Sequence, residues 1–517
     1  MKLGPLLLIL AGSALAAPST PNIVLMMADD LGYGDTGFNG NKIIQTPNLD
    51  ALAAQGVTLT HFYSGNSVCS PTRGTCLTGR HHDRYGIWTA NAGHLPKQEI
   101  TLARMLKSEG YITGHFGKWH LGTLSKTESS KGKSRKPSLN YAPPWERDYD
   151  TSFVTESAVS TWNPGLGPRA KNNPFYESGI PLDGHDESLK GGAARVVMDR
   201  AIPFIEKAAE AKQPFLTVIW FHAPHEDIEA GPEYLAKYEG HGEAAHFYGC
   251  ITELDEQVGR LVQTLKRTKT LDNTFIFFCS DNGPEGAKVA GRRAGTTNGL
   301  RGRKRALYDG GVRVPAFAVW PGNIKSSTKS DAILSTLDYF PTVREIVGYT
   351  MPDNRPIDGQ NILPILTGHA QKRTKSIPFR YTGGTTSLVK GDYKLLMPSR
   401  ELYDLSKDRT ESKNLAATMP ERVSEMEREL TAYFDSFRKS HSGADYHDPS
   451  YQPVDHWKPL TKTSPKISES EARSRKVRDQ ASTTPVAGRC ERKRSCFPDP
   501  EEVFSGEFSG LTEPVRP

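Results

Sequence analysis

Ile23-Val24-Leu25-Met26-Met27-Ala28-Asp29-Asp30 is an unbroken apolar run that stops abruptly at two carboxylates. A run this short, rich in β-branched and long apolar residues, reads as a strand buried on both faces. The same signature recurs at Pro214–Phe221, which leads into His222-Ala223-Pro224-His225, and at Asn273–Cys279, which leads into Ser280-Asp281-Asn282-Gly283. Strand-like runs ending near Phe116 and covering Val314–Trp320 add two more. Between them lie amphipathic segments at Leu49–Gln55, Thr101–Glu109 (closed by Gly110), Ala193–Lys212 and His246–Lys266, which read as helices. The alternation predicts an α/β fold, a large sheet sandwiched by helices. Ligands of such sheets bind beyond the carboxyl ends of the strands, where these carboxylates and imidazoles collect.

Beyond about residue 350 the pattern changes. Short strand-like pieces such as Tyr393-Lys394-Leu395-Leu396 precede a helix near Glu421–Arg438, so a smaller α+β domain is expected over 351–460 after a main domain over 18–350. From 461 to 517 the chain is rich in Ser, Lys, Arg and Pro, with little to bury, and reads as a polar, basic tail.

The N-terminus reads as a secretory leader over 1–17: Lys2, then Leu6–Leu10, then Ala14-Leu15-Ala16. No other window approaches the roughly 20 apolar residues of a membrane span. The expected location is secreted or periplasmic. The absence of any Asn-x-Ser/Thr sequon counts against a lysosomal one. A net charge of +6 over 517 residues singles out no partner, and no nucleic-acid motif is present. Six cysteines are too few for a disulfide scaffold. Cys490 and Cys496 are the best pair for a bridge, while Cys250 and Cys279 read as core.

Asp29-Asp30 and Asp281-Asn282 offer only oxygen donors, a set that suits Ca²⁺, and less well Mg²⁺, better than zinc. Two further stretches carry chemistry. Ser67-Val68-Cys69-Ser70-Pro71-Thr72-Arg73 runs on to Leu77-Thr78-Gly79-Arg80, and Gly110–Gly117 runs on to Lys118-Trp119-His120. Both resemble the signatures of the type I sulfatases, members of the alkaline phosphatase superfamily. His222–His225 and Leu300–Pro315 fit the same pattern, in the same order. Three positions depart from it: Cys76 and Phe116, and Asp309 in place of Glu, a change expected to leave the other assignments untouched.

The resemblance implies that Cys69 becomes formylglycine through a separate maturase, and that its hydrated form attacks sulfur beside a divalent cation. The metal ligands would be Asp29, Asp30, Asp281, Asn282 and the modified Cys69. Arg73 would hold a hydroxyl of residue 69. Lys118 and Lys304 would bind the sulfate, with His222 as a neighbour. His225 would protonate the leaving alkoxide, and His120 would take the proton that frees the sulfate. Gly86–Gly93 looks most like the galactose- and N-acetylgalactosamine-directed branch, which implies a sulfated carbohydrate as substrate. The alternatives are a formylglycine-dependent phosphonate monoester or phosphodiester hydrolase, and a non-catalytic sulfated-glycan binder. Cys69 and Cys76 could instead form a disulfide. Arg292, Arg293, Arg301, Arg303, Arg305 and Arg313, with Lys304, could form a basic rim. One or two of Trp88, Trp119, Trp145 and Trp162 could stack on sugars.

Overall fold

The computed structural model describes residues 20–286 and 290–458. The expected leader, the tail beyond 461 and the Cys490–Cys496 pair lie outside the described residues. Ten strands build the large sheet: β1 (Asn22–Ala28), β2 (Val57–Tyr63), β3 (Ile112–Lys118), β4 (Thr151–Thr155), β5 (Tyr176–Glu177), β6 (Ile180–Pro181), β7 (Phe215–Trp220), β8 (Thr274–Ser280), β9 (Ala316–Val319) and β10 (Thr328–Ser335). Their order is β10-β2-β9-β8-β1-β7-β3-β4-β5-β6. The central block β8-β1-β7-β3-β4 is parallel, whereas β9 runs antiparallel to both β2 and β8, so the sheet is mixed.

β1 sits in the middle and is buried throughout. Its two-residue period sends Ile23, Leu25 and Met27 into one apolar layer and Val24, Met26 and Ala28 into the other. The first layer is closed by the helices Leu102–Ser108 and Tyr339–Val347. The second is closed by Ala193–Glu210 and Ala244–Arg267. Thr101 caps the first of these helices, accepting from Arg104 N, and Gly110 follows its end at φ +83°.

The smaller domain carries four antiparallel strands, β11 (Ile377–Arg380), β12 (Thr386–Lys390), β13 (Tyr393–Met397) and β14 (Glu401–Asp404). Alternation again divides its side chains. Leu388, Leu395 and Leu402 pack on the helix Pro420–His441, while Val389, Leu396 and Tyr403 pack on Tyr63, Leu307 and Val312 of the main domain. That second face lies against the loop that carries Lys304.

Candidate active site

Register brings the site together. Ala28 pairs with Ser280, Met27 with Trp220, and Gly117 with Trp220, so β8, β1, β7 and β3 end at one level. The residues just past those ends therefore converge: Asp281 and Asn282 from β8, Asp29 and Asp30 from β1, His222 and His225 after β7, and Lys118 and His120 at β3. Asp30 takes a left-handed conformation, φ +67°, and its N–H donates to Asp281 Oδ1 at 3.1 Å.

The fifth contribution comes from the helix Cys69–Thr78, whose residues are all buried. Cys69 is its first residue and Pro71 its third, so the proline removes no helical hydrogen bond, because the first four N–H groups have no partner inside the helix. Arg73 follows Cys69 by four residues and shares its face. The Cys69 thiol lies 3.5 Å from Asp29 Oδ1. Burial, then the charge of Asp281, pushes that thiol up to about 12, far from the depressed range of a cysteine nucleophile. A bridge to Cys76 is absent. Both thiols are free, and seven residues of helical rise, roughly 10 Å, exceed disulfide reach. Cys250 and Cys279 are buried, as expected.

Three buried carboxylates face three buried cations. Lys118 Nζ is 2.6 Å from Asp29 Oδ2, and Lys304 Nζ is 2.6 Å from Asp30 Oδ1. Arg73 donates to Asp281 Oδ2 from Nε (3.1 Å) and Nη2 (2.6 Å) and lies 3.4 Å from Asp29. Arg73 is thus held by Asp281, with Nη1 left unpartnered. Burial pushes Asp29 up, but Lys118, His225, Arg73 and Lys304 outweigh it and hold the carboxyl well below its usual range. Asp281 moves the other way, pushed up by burial and then by Asp29. Crowded carboxylates of this kind fit a cation. Donor atoms of Asp29, Asp30, Cys69 and His225 lie within 4.8 Å of one another, and the buried Asn282 Oδ1 has no partner. The donor set fits calcium or magnesium.

The histidines differ in their surroundings. His225 Nδ1 is 2.5 Å from the Glu226 carbonyl, which fixes the proton there and leaves Nε2 facing Asp30 Oδ2 at 3.8 Å. Burial lowers its pKa to about 4, against the pull of Asp30 and Asp29. His222 is fully buried, with neither ring nitrogen bonded, and burial lowers it to about 3. His120 donates from Nε2 to Asn91 Oδ1 at 2.8 Å, so its buried Nδ1 keeps a free lone pair. Burial, then Lys118 and Arg135, lowers its pKa.

The Lys304 loop is held from several sides. Lys304 N donates to Pro284 O, and Arg305 N to Ser67 O, which ties the loop to the Asn282 turn and to the start of the Cys69 helix. A Cβ on Gly310 would meet Gly302 O at 2.1 Å, and one on Gly311 would meet Ala306 O at 2.0 Å. Only glycine lets the loop fold back so closely. Asp309 is its anchor. Its carboxylate accepts from Tyr63 Oη (2.9 Å) and Lys394 Nζ (2.8 Å), and Lys394 also binds Glu411 at 2.9 Å, all in the interior. Asp309 touches none of the assigned catalytic or metal residues, and it holds in place the loop that carries Lys304.

The basic rim is corrected. Arg292, Arg293 and Arg305 pair with Glu243, Glu226 and Glu285, Arg303 donates to the carbonyls of Glu285 and Gly295, Arg301 stacks on Tyr308, and Arg313 binds Asp309. Of the seven, Lys304 alone reaches the carboxylate pocket. Trp119 is fully buried, its indole N–H bonded to Ala142 O, so it is core rather than a sugar platform. Asn91, Glu156 and Glu285 were not singled out from the sequence. Glu285 lies 3.2 Å from Lys304, and Glu156 O accepts from His120 N. Asn91 lies inside the Gly86–Gly93 stretch, and Glu285 three residues after Asn282. Those positions are the signal that was available.

Comparison with known proteins identifies the family. A family model described as Sulfatase matches residues 21–349, and one described as N-sulphoglucosamine sulphohydrolase, C-terminal, matches 302–439. The N-acetylgalactosamine-6-sulfatase of Canis lupus familiaris is 34% identical over 418 residues, covering 75% of this chain and 74% of its own. The steryl-sulfatase of Homo sapiens is 30% identical over 440 residues, covering 72% and 74%. Among solved structures, Ps i-CgsB in complex with k-i-k-neocarrahexaose superposes with a TM-score of 0.71 at 24% identity, covering 83% of this chain and 95% of that one. A structure from work on the metabolism of multiple glycosaminoglycans by bacteroides thetaiotaomicron gives 0.68 at 26%, covering 80% and 99%. With its pocket of carboxylates and cations at the strand ends and this breadth of similarity, the chain belongs to the sulfatase family and is a sulfuric ester hydrolase.

Proposed function

We propose that this enzyme removes sulfate from a sulfated carbohydrate of galactose type, with formylglycine at position 69 and calcium held by Asp29, Asp30, Asp281, Asn282 and the oxidised residue 69. The observation that carries the reading is the position of Cys69, first in a buried helix, 3.5 Å from Asp29 and set among the three ion pairs. The similarity to N-acetylgalactosamine-6-sulfatases supports the sugar class. No helix of the described residues is long and apolar enough to cross a membrane, and the leader read from the sequence supports export.

Hydrated formylglycine supplies one hydroxyl to attack sulfur and a second whose lost proton lets sulfate leave. Calcium in this donor set supplies charge that screens the anionic ester and favours the ionised hydroxyl. The protein's own groups do the rest. Lys118 and Lys304 are fixed by Asp29 and Asp30 with their ammonium groups in the pocket, placed to hold ester oxygens without reorganisation. Arg73 Nη1 has no partner among the described residues and would hold the oxygen of residue 69. His225 starts neutral. An entering anion beside Nε2 raises its pKa, after which Nε2–H passes a proton to the departing alkoxide. His120 has its Nε2 proton committed to Asn91, so Nδ1 is the atom that accepts the proton of the second hydroxyl.

The test is turnover of 4-nitrophenyl sulfate beside bis-4-nitrophenyl phosphate, with mass spectrometry of the peptide around residue 69. Sulfate turnover, an aldehyde at 69, and loss of activity on chelation restored by calcium are expected. Greater phosphodiester turnover would favour the phosphonate or phosphodiester hydrolase reading, and unmodified Cys69 after co-expression with a maturase would favour a glycan binder. Release of sulfate from galactose-type saccharides rather than from steroid sulfates tests the substrate class.

A further inference from the structure

Lys304 Nζ touches two carboxylates. Asp30 Oδ1 lies at 2.6 Å and Glu285 Oε2 at 3.2 Å. Asp30 is shared: it also accepts from Asn282 Nδ2 at 2.7 Å, faces His225 Nε2 at 3.8 Å, and belongs to the donor set for a cation. Glu285 is committed to the loop. Among the described residues its carboxylate binds Lys304, both Nη atoms of Arg305 (Nη2 to Oε2 at 3.1 Å) and the N–H of Gly286 (3.0 Å). Burial pushes its pKa up, but Arg305 and Lys304 outweigh it and hold the carboxyl down to about 2, so Glu285 is an anion at neutral pH.

The backbone explains how two consecutive residues meet one carboxylate. Neighbouring side chains of an extended chain point to opposite sides. Arg305 instead sits at φ +76°, a conformation that a bulky residue keeps only where its surroundings hold it. Ser67 O, which accepts from Arg305 N, and the Glu285 carboxylate are the groups that hold it. The two segments are also laced along their main chains. Lys304 N donates to Pro284 O, and Arg303 donates to the Glu285 carbonyl from Nε (3.3 Å) and Nη2 (2.9 Å). The result is a row, Asp30–Lys304–Glu285–Arg305, that runs outward with side chains 1%, 3%, 14% and 52% exposed. Its two anions balance its two cations, so it offers no spare charge to a ligand. What it offers is a fixed position, because an ammonium gripped from two sides cannot swing about a single contact.

We propose that Glu285 is a positioning residue of the active site, which, with Arg305 as its outer brace, fixes the Lys304 ammonium where the sulfate ester enters. The proposal rests on the reading of Lys304 as a group that holds the sulfate. Glu285 acts on turnover through Lys304 alone.

The experiment is a kinetic double-mutant cycle with the matured enzyme on 4-nitrophenyl sulfate: wild type, Glu285→Gln, Lys304→Met and the two combined. Gln keeps the shape of Glu285 and an acceptor for Arg305 but removes the charge. Glu285→Gln is expected to lower kcat about tenfold, as a misplaced cation does. KM stays within about twofold, since removing a carboxylate beside an anionic ester offsets the looser grip on it. In the Lys304→Met background the same change is expected to alter kcat by less than about twofold. A residue that merely keeps the loop folded would take the same factor from both backgrounds. That result overturns the proposal, as does an unchanged kcat in Glu285→Gln. Should Glu285→Gln fail to fold, Arg305→Gln at the exposed end of the row puts the same question. Its loss of kcat is expected to vanish when Lys304 is Met, and a loss that persists there, or no loss at all, overturns the proposal. Undiminished turnover in Lys304→Met by itself overturns the reading of Lys304, a result distinct from all of these.

Discussion

Lys118 Nζ and Asp29 Oδ2 lie 2.6 Å apart with both side chains fully buried, an ion pair built between the ends of β3 and β1, which β7 separates in the sheet. Breaking such a pair from one side leaves a charge uncompensated in the interior. Lys118→Met is expected to lower kcat at least about 100-fold, because a preorganised cation is lost. It is also expected to cost about 3–5 kcal/mol of stability. Steady-state kinetics and urea denaturation read the two effects separately. Unchanged stability with lost turnover would show that Asp29 finds another partner.

His225 is exposed enough to meet a ligand and keeps its Nδ1 proton on the Glu226 carbonyl. If Nε2 protonates the leaving oxygen, the need for it grows with the basicity of that oxygen. His225→Gln should therefore slow release of sulfate from a sugar alcohol by about 10²–10⁴-fold, and slow 4-nitrophenyl sulfate, whose phenolate leaves readily, far less. Equal losses on both esters would remove His225 from proton transfer.

Glu253 is fully buried and accepts N–H bonds from Ala194 and Arg195 at the start of Ala193–Glu210, yet burial pushes its pKa up to about 8. A raised pKa means that the folded state binds the proton more tightly than the unfolded state does. Its contribution to stability is complete below the ordinary glutamate range, near 4.5, and fades as pH rises towards 8. Glu253→Gln, which keeps an acceptor and cannot ionise, should gain on wild type by an amount on the order of 3 kcal/mol between pH 5 and pH 8. Denaturant titrations of both proteins at the two pH values check it. A constant difference would show that Glu253 stays in one protonation state.

Lys394 links the small sheet to the Lys304 loop through Asp309 and Glu411. Lys394→Met strands two carboxylates in the interior and should destabilise the protein by about 3–5 kcal/mol. Adding Glu411→Gln should recover part of the loss, since one of the stranded charges is gone. Thermal unfolding of the single and double variants measures this. Additive destabilisation would mean that the two groups act independently.

Much of the fold was legible because central strands of a parallel sheet are apolar on both faces. β1, β7 and β8 therefore stood out as runs and ended within a residue or two of where the sequence placed them. β2 and β10 did not. Thr58, Thr60, Lys329 and Asp331 interrupt them, and their pairing is set by neighbours distant in sequence. Cys69, Asp29, Asp281 and Lys304 could be named from local letters. The partner of each was another matter, since Lys118 meets Asp29 across 89 residues and Lys304 meets Asp30 across 274.

The sequence by itself determined which groups this enzyme possesses and at which strand ends they lie, because local periodicity and residue type are properties of short stretches. Only the tertiary structure decided which charges are free to act. A guanidinium looks the same in every stretch, and its counter-ion comes from wherever the chain folds back. Most of the loop arginines were thereby given counter-charges or carbonyl partners, and Asp309 became an anchor.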